Sequence, residues 1–242
     1  MASQRPRRDR SAPRTQEQAT YDGPPLDPGI TGRELDRSVR QALRGLPDKL
    51  AVRVARHLVA AGQLVDVDPG TAYRHALAAR ARAARVAVVR EACGEAAYAA
   101  GEYAEALAEL RAARRMNAAA DYLPMMADCE RALGRPDRAL ALARDPALST
   151  LPQELRAEMS IVAAGARRDR GETDAALRVL EAAPLHARAR APWLARLRYA
   201  YADALLAAER REDAVVWFHR TVAVDGGDET DAEQRLAELG TG

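Results

Sequence analysis

The chain has 242 residues, roughly a quarter of them alanine, 4% aromatic and 30% charged, with a formal net charge of +2. Alanine, leucine, arginine and glutamate lose little side-chain freedom in a helix, and runs of Val, Ile, Thr and aromatics are nearly absent, which excludes a sheet-based fold. Cys93 and Cys129 form no CxxC pair and no run of about 18 apolar residues occurs, so a thiolate zinc site, a disulfide framework and a membrane span are excluded as well. The expectation is an all-α cytoplasmic protein without a signal peptide. Lysine occurs once, at Lys49, among 37 basic residues, a bias better explained by GC-rich bacterial coding than by phosphate binding.

Residues 1–30 carry Arg5, Arg7, Arg8, Arg10 and Arg14 and few apolar groups, and read as a disordered basic tail. Residues 31–46 read as a capping helix. Thr31 and Glu34 have the spacing of a capping box, and Leu35, Val39, Ala42 and Leu46 form one face. The next helix begins at Asp48, carries the stripe Leu50, Val54, Leu58 and Ala61, and is expected to end at Gly62. Asp68 and Pro69 supply an N-cap and an N1 proline for a helix bearing Ala72, Ala76 and Ala79. Short loops and further helix pairs follow, and residues 229–242 read as a closing helix and tail.

From residue 47 to 228 the pairs recur. Gly101, Gly134 and Gly171 each stand five residues before an alanine–leucine pair, at Ala106–Leu107, Ala139–Leu140 and Ala176–Leu177. A fourth copy puts Glu209 in the glycine slot, followed by Ala214, Val215 and Phe218. In 87–120 the small residue Gly94, the turn glycine Gly101, the aromatic Tyr103 and the packing positions Ala106, Leu110 and Ala113 together resemble the tetratricopeptide repeat family. Units near 48–82, 120–153, 157–190 and 195–228 match less fully: Pro136 and Thr173 take the aromatic slot, and Pro146 shortens a second helix. The resemblance implies an α-solenoid of stacked antiparallel helix pairs; an irregular helical bundle is the competing architecture.

No phosphate-binding glycine loop, zincin or nucleophile-elbow motif occurs, so neither enzyme activity nor a cofactor is expected. His57, His75, His186 and His219 are scattered and read as partly exposed helix residues. Cys93 and Cys129 read as small buried hydrophobes. The resemblance implies a protein-binding groove lined by first helices, which collects Glu91, Glu95, Tyr98, Asp121, Asp128, Arg131, Arg168, Arg196, Tyr199 and Asp203. Their charges favour a protein or peptide partner with a basic or mixed-charge segment, which implies a scaffold or adaptor. The alternative is a nucleic-acid-associated or regulatory protein using the arginine arm, although no aromatics are interleaved there for base stacking.

Overall fold

The computed structural model describes residues 22–188 and 190–240. Among these the secondary structure is helical, with no strand. The expected arginine arm at Arg5–Arg14 lies outside the described residues. Two compact units divide the chain, Met1–Gly101 and Glu102–Gly242. The boundary falls in the turn of the expected repeat 87–120, whose first helix belongs to one unit and whose second belongs to the other.

The N-terminal unit contains α1 (Arg37–Ala42), α2 (Asp48–Leu64), α3 (Pro69–Ala83) and α4 (Ala87–Ala99). Helices α2 and α3 form an antiparallel pair, and α4 packs on both. The apolar stripes read from sequence are the ones that meet: Val54, Leu58, Ala79 and Val89 share one cluster with Leu43, and Ala61, Ala72 and Ala76 share another with Cys93. Asp68 accepts a hydrogen bond from Thr71 N at 3.0 Å with Pro69 at N1, as its position before the helix implies.

Three expectations for this unit need correction. Thr31 and Glu34 do bond to each other, but as a turn, because Gly32 sits at φ +87° and the helix starts only at Arg37. Helix α2 continues past Gly62 to Leu64, since that glycine is not in a left-handed conformation. Residues 22–30, expected in the tail, lie as a strap along α2 and α3. Arg56 donates to Ile30 O at 2.6 Å and Asp27 O at 2.9 Å, and Asp22 accepts from Arg82, whose side chain is 8% exposed. Arginine bonds to the carbonyls of Ile30 and Asp27 and to the Asp22 carboxylate anchor the strap.

The C-terminal unit holds α5 (Tyr103–Asn117) and three helix pairs: α6 (Leu123–Ala132) with α7 (Pro136–Leu142), α8 (Gln153–Asp169) with α9 (Thr173–Glu181), and α10 (Pro192–Ala207) with α11 (Arg211–Val222). Helix α12 (Ala232–Gly240) closes the series on α11, with Ala232, Leu236 and Leu239 against the core. First helices touch the next first helix, α6 to α8 to α10, so one face of the unit consists of first helices alone. Helix α7 stops at Leu142, and a 3-10 turn from Pro146, capped by Asp145, follows it, as Pro146 requires.

The turns between paired helices repeat in atomic detail. Gly134 and Gly171 are left-handed at φ +71° and +74°, and Glu209 adopts the same conformation at +60°. In each turn the residue after the left-handed one donates back five positions: Arg135 to Glu130 O, Glu172 to Arg167 O and Arg210 to Leu205 O, all at 2.9 Å. This bond closes a Schellman C-cap, which satisfies carbonyls that the helix end would otherwise orphan. The alanine five positions on, Ala139, Ala176 or Ala214, has no exposed surface. Repetition at this level is what a helical-repeat fold requires.

The spaces beside Gly134 and Gly171 are open, so an added Cβ meets no neighbour and the cost of replacement is conformational alone. Gly134→Ala and Gly171→Ala are each expected to destabilise the protein by about 1 kcal/mol, and Glu209→Gly to stabilise it by up to about 1 kcal/mol. Thermal or denaturant melts of the three variants check both signs.

Candidate functional site

The first-helix face of the C-terminal unit gathers five of the ten groove residues read from sequence into a ladder. Arg131 on α6 donates to Asp128 one turn away at 3.0 Å and to Asp169 on α8 at 3.4 Å. Arg168 on α8 donates to Asp203 on α10 at 2.6 Å, and Asp203 also accepts from Arg235 on α12 at 3.2 Å. Arg196 on α10 binds Glu158 on α8 at 2.5 Å and Glu229, just before α12, at 3.0 Å. Every inter-helix link joins residues about one repeat apart, so the ladder follows from the repeat itself.

Ion pairs this exposed contribute on the order of 0–1 kcal/mol each, too little for stability to be their main consequence. Their effect is orientation. Side chains of Arg131, Arg168, Arg196 and Arg235 keep 30–40% of their surface exposed while the carboxylates hold each guanidinium in place. Gly165 makes room for the first of them: a Cβ there would lie 3.1 Å from the Arg131 guanidinium. The flanking carboxylates and hydrogen bonds keep Arg131 charged beyond its ordinary range, against the effect of partial burial.

The remaining groove candidates stand apart from the ladder. Tyr199 packs edge-on against Phe218 with ring centroids 5.5 Å apart, and burial together with Asp231 pushes its hydroxyl up to about 12. It therefore serves the core as much as the face. Asp121 precedes α6 and is exposed in the turn. Glu91, Glu95 and Tyr98 are half-buried on α4, in the N-terminal unit.

Sequence reading missed a second cluster. His57 on α2 and His75 on α3, expected to be partly exposed, are 1% and 3% exposed, and their Nδ1 atoms lie 2.9 Å apart. Each histidine sits within an apolar stripe, three residues after Val54 or Ala72 and four before Ala61 or Ala79. Periodicity alone thus marked both as buried; only the α2–α3 pairing brings them into contact. Burial lowers His57 to about 4, with help from His75, Arg53, Arg82 and Arg56, and lowers His75 with help from Arg74. Cys129 is fully buried, and its thiol is pushed up to about 12 by burial beside Asp128 and Glu130.

Among the described residues no group of three or more His, Cys, Asp and Glu side chains is placed to hold a metal ion. No described helix is long and apolar enough to cross a membrane. No protein-family model matches the chain, and a search of curated proteins returns no match.

Two outcomes follow from the buried groups. Unfolded histidines titrate near 6.5 while His57 and His75 stay neutral in the fold, so the unfolded chain takes up more protons below that pH. Stability is complete above about pH 6.5 and falls below it, toward pH 4 for His57, by up to about 1.4 kcal/mol per pH unit for each imidazole that stays neutral in the fold. Melts between pH 7.5 and 4.5 should show this fall, with its slope reduced in His57→Leu. Cys129 should resist alkylation at pH 8 in the native protein and react fully in denaturant, as mass spectrometry can follow.

Proposed function

We propose that the protein is a non-enzymatic scaffold or adaptor of the tetratricopeptide kind, holding a protein or peptide segment against the first-helix face of its C-terminal unit. The arginine ladder carries this reading. Four guanidiniums along one face, each steadied by carboxylates and each partly open to solvent, are donors oriented before any partner arrives. Such preorganisation lowers the entropy cost of binding. Planar guanidiniums suit partner carboxylates, and the intervening Asp128, Asp169 and Asp203 suit partner basic groups, so the fitting segment has mixed charge.

The test compares wild type with two variants for capture of a cross-linkable partner from nuclease-treated lysate, followed by affinity measurement with the purified partner. Arg131→Glu with Arg168→Glu places carboxylates against Asp169 and Asp203 and should weaken binding by at least about tenfold, the effect of losing 1.4 kcal/mol. Gly165→Ala, which shifts the Arg131 guanidinium and raises helix propensity, should weaken binding while stability holds or rises by up to about 1 kcal/mol. Undiminished affinity in both variants would show that this face is not the docking surface.

A further inference from the structure

Three buried side-chain nitrogens among the described residues have no hydrogen-bond partner: Arg53 Nε, His57 Nε2 and Arg167 Nε. The first two belong to residues lining the same cleft of ≈ 430 Å³ in the N-terminal unit, whose walls are the strap from Asp22 and helix α2. A buried donor left unmet costs about 1–3 kcal/mol, and folded proteins carry few of them. Sealed from solvent, neither can touch a molecule in the cleft, but both leave N–H groups beside it that no carboxylate compensates.

The charge around them defines its sign. Lys49, Arg53, Arg56 and His57 fall at i, i+4, i+7 and i+8 along α2 and so share a face. Asp22 is the single carboxylate among the lining residues, and it accepts both from Arg53 at 3.1 Å and from Arg82 behind it. Arg56 is bonded to neutral carbonyls, those of Ile30 and Asp27. Asp27 and Asp48 stand nearby but do not line the cleft, and Asp27 Oδ1 already accepts from Gly29 N at 2.7 Å. Three full cations thus face one shared carboxylate.

The shape and the donors define the ligand class. A volume of this size falls within the range of small-molecule sites, and Pro24 and Pro25, with φ fixed by their rings, stiffen one wall. If His75 Nδ1–H donates to His57 Nδ1, the remaining His57 proton sits on Nε2, which is then a donor without an acceptor. A phosphate group presents three strong acceptor oxygens and matches guanidinium and ammonium groups.

We propose that this cleft binds a small phosphate-bearing anion, with the Arg53 and Arg56 guanidiniums and the exposed Lys49 ammonium as its cationic partners. The full chain is titrated with inorganic phosphate and with ribose 5-phosphate, against chloride and acetate at matched ionic strength, following amide resonances of residues 49–57 and the melting temperature. Saturable shifts and a raised melting temperature with the two phosphates alone are expected; a stronger effect of ribose 5-phosphate assigns an organic phosphate, and an equal effect assigns the free ion. Lys49→Met with Arg53→Met, at an exposed lysine and an arginine whose side chain is 38% exposed, should weaken binding by at least about tenfold without unfolding the chain. Arg53→Lys, which keeps the charge but removes the planar guanidinium fork, should weaken it too. Equal responses to phosphate and chloride, or an affinity unchanged in the double variant, would overturn the proposal.

Discussion

Alanine methyl groups fill many of the points where these helices meet, and the architecture depends on that close packing. Ala72, Ala76 and Ala79 in one unit, and Ala139, Ala157, Ala176, Ala202 and Ala214 in the other, are wholly excluded from solvent at helix contacts. A buried methyl contributes only about 0.8 kcal/mol, but alanine gives up no rotamer entropy on burial. Stability is therefore assembled from many small, low-cost contacts, supplemented by a few large side chains such as Phe218, Leu197 and Leu205. Backbones held this close leave the charged residues on neighbouring first helices within reach of one another. The ladder from Arg131 to Arg235 is a consequence of that spacing.

The same closeness makes the turns exacting. A chain that reverses between tightly packed helices has room for one left-handed residue and the bond that closes the cap. At Gly134 and Gly171 the sequence supplies the residue that adopts this conformation freely; at Glu209 a side chain accepts strain to keep the geometry. That a glutamate conforms shows that packing of α10 on α11, rather than local preference, dictates the turn. The N-terminal unit differs in what secures it: arginines from α2 and α3 reach out to the strap, so charge that elsewhere decorates a surface here fastens the chain to it.

The two charged regions of the molecule consequently have different characters. On the first-helix face nearly every guanidinium has a carboxylate that holds it, which leaves its donors ordered. In the cleft beside His57 cations outnumber carboxylates, and two buried nitrogens lack partners. The histidine pair joins that cleft to the core of the unit, since His57 touches both His75 and the lining.

Composition and period determined the helical class, the stripes of α2 and α3, the Asp68 cap, the short α7 before Pro146 and the alanine at each crossing. All of these are local properties, set by residues within one turn or one helix length of each other. That five of the ten residues expected in a groove share the first-helix face was also legible, because Asp128 with Asp203, and Arg131 with Arg168, recur at matching positions of the first helices. Tertiary structure alone decided the rest: the strap at 22–30, the left-handed Glu209, the contact of His57 with His75, and the pairing that turns scattered arginines into a ladder. Each depends on which helix lies beside which, and in a chain where alanine recurs in nearly every stripe, the pattern of one helix does not specify its neighbour.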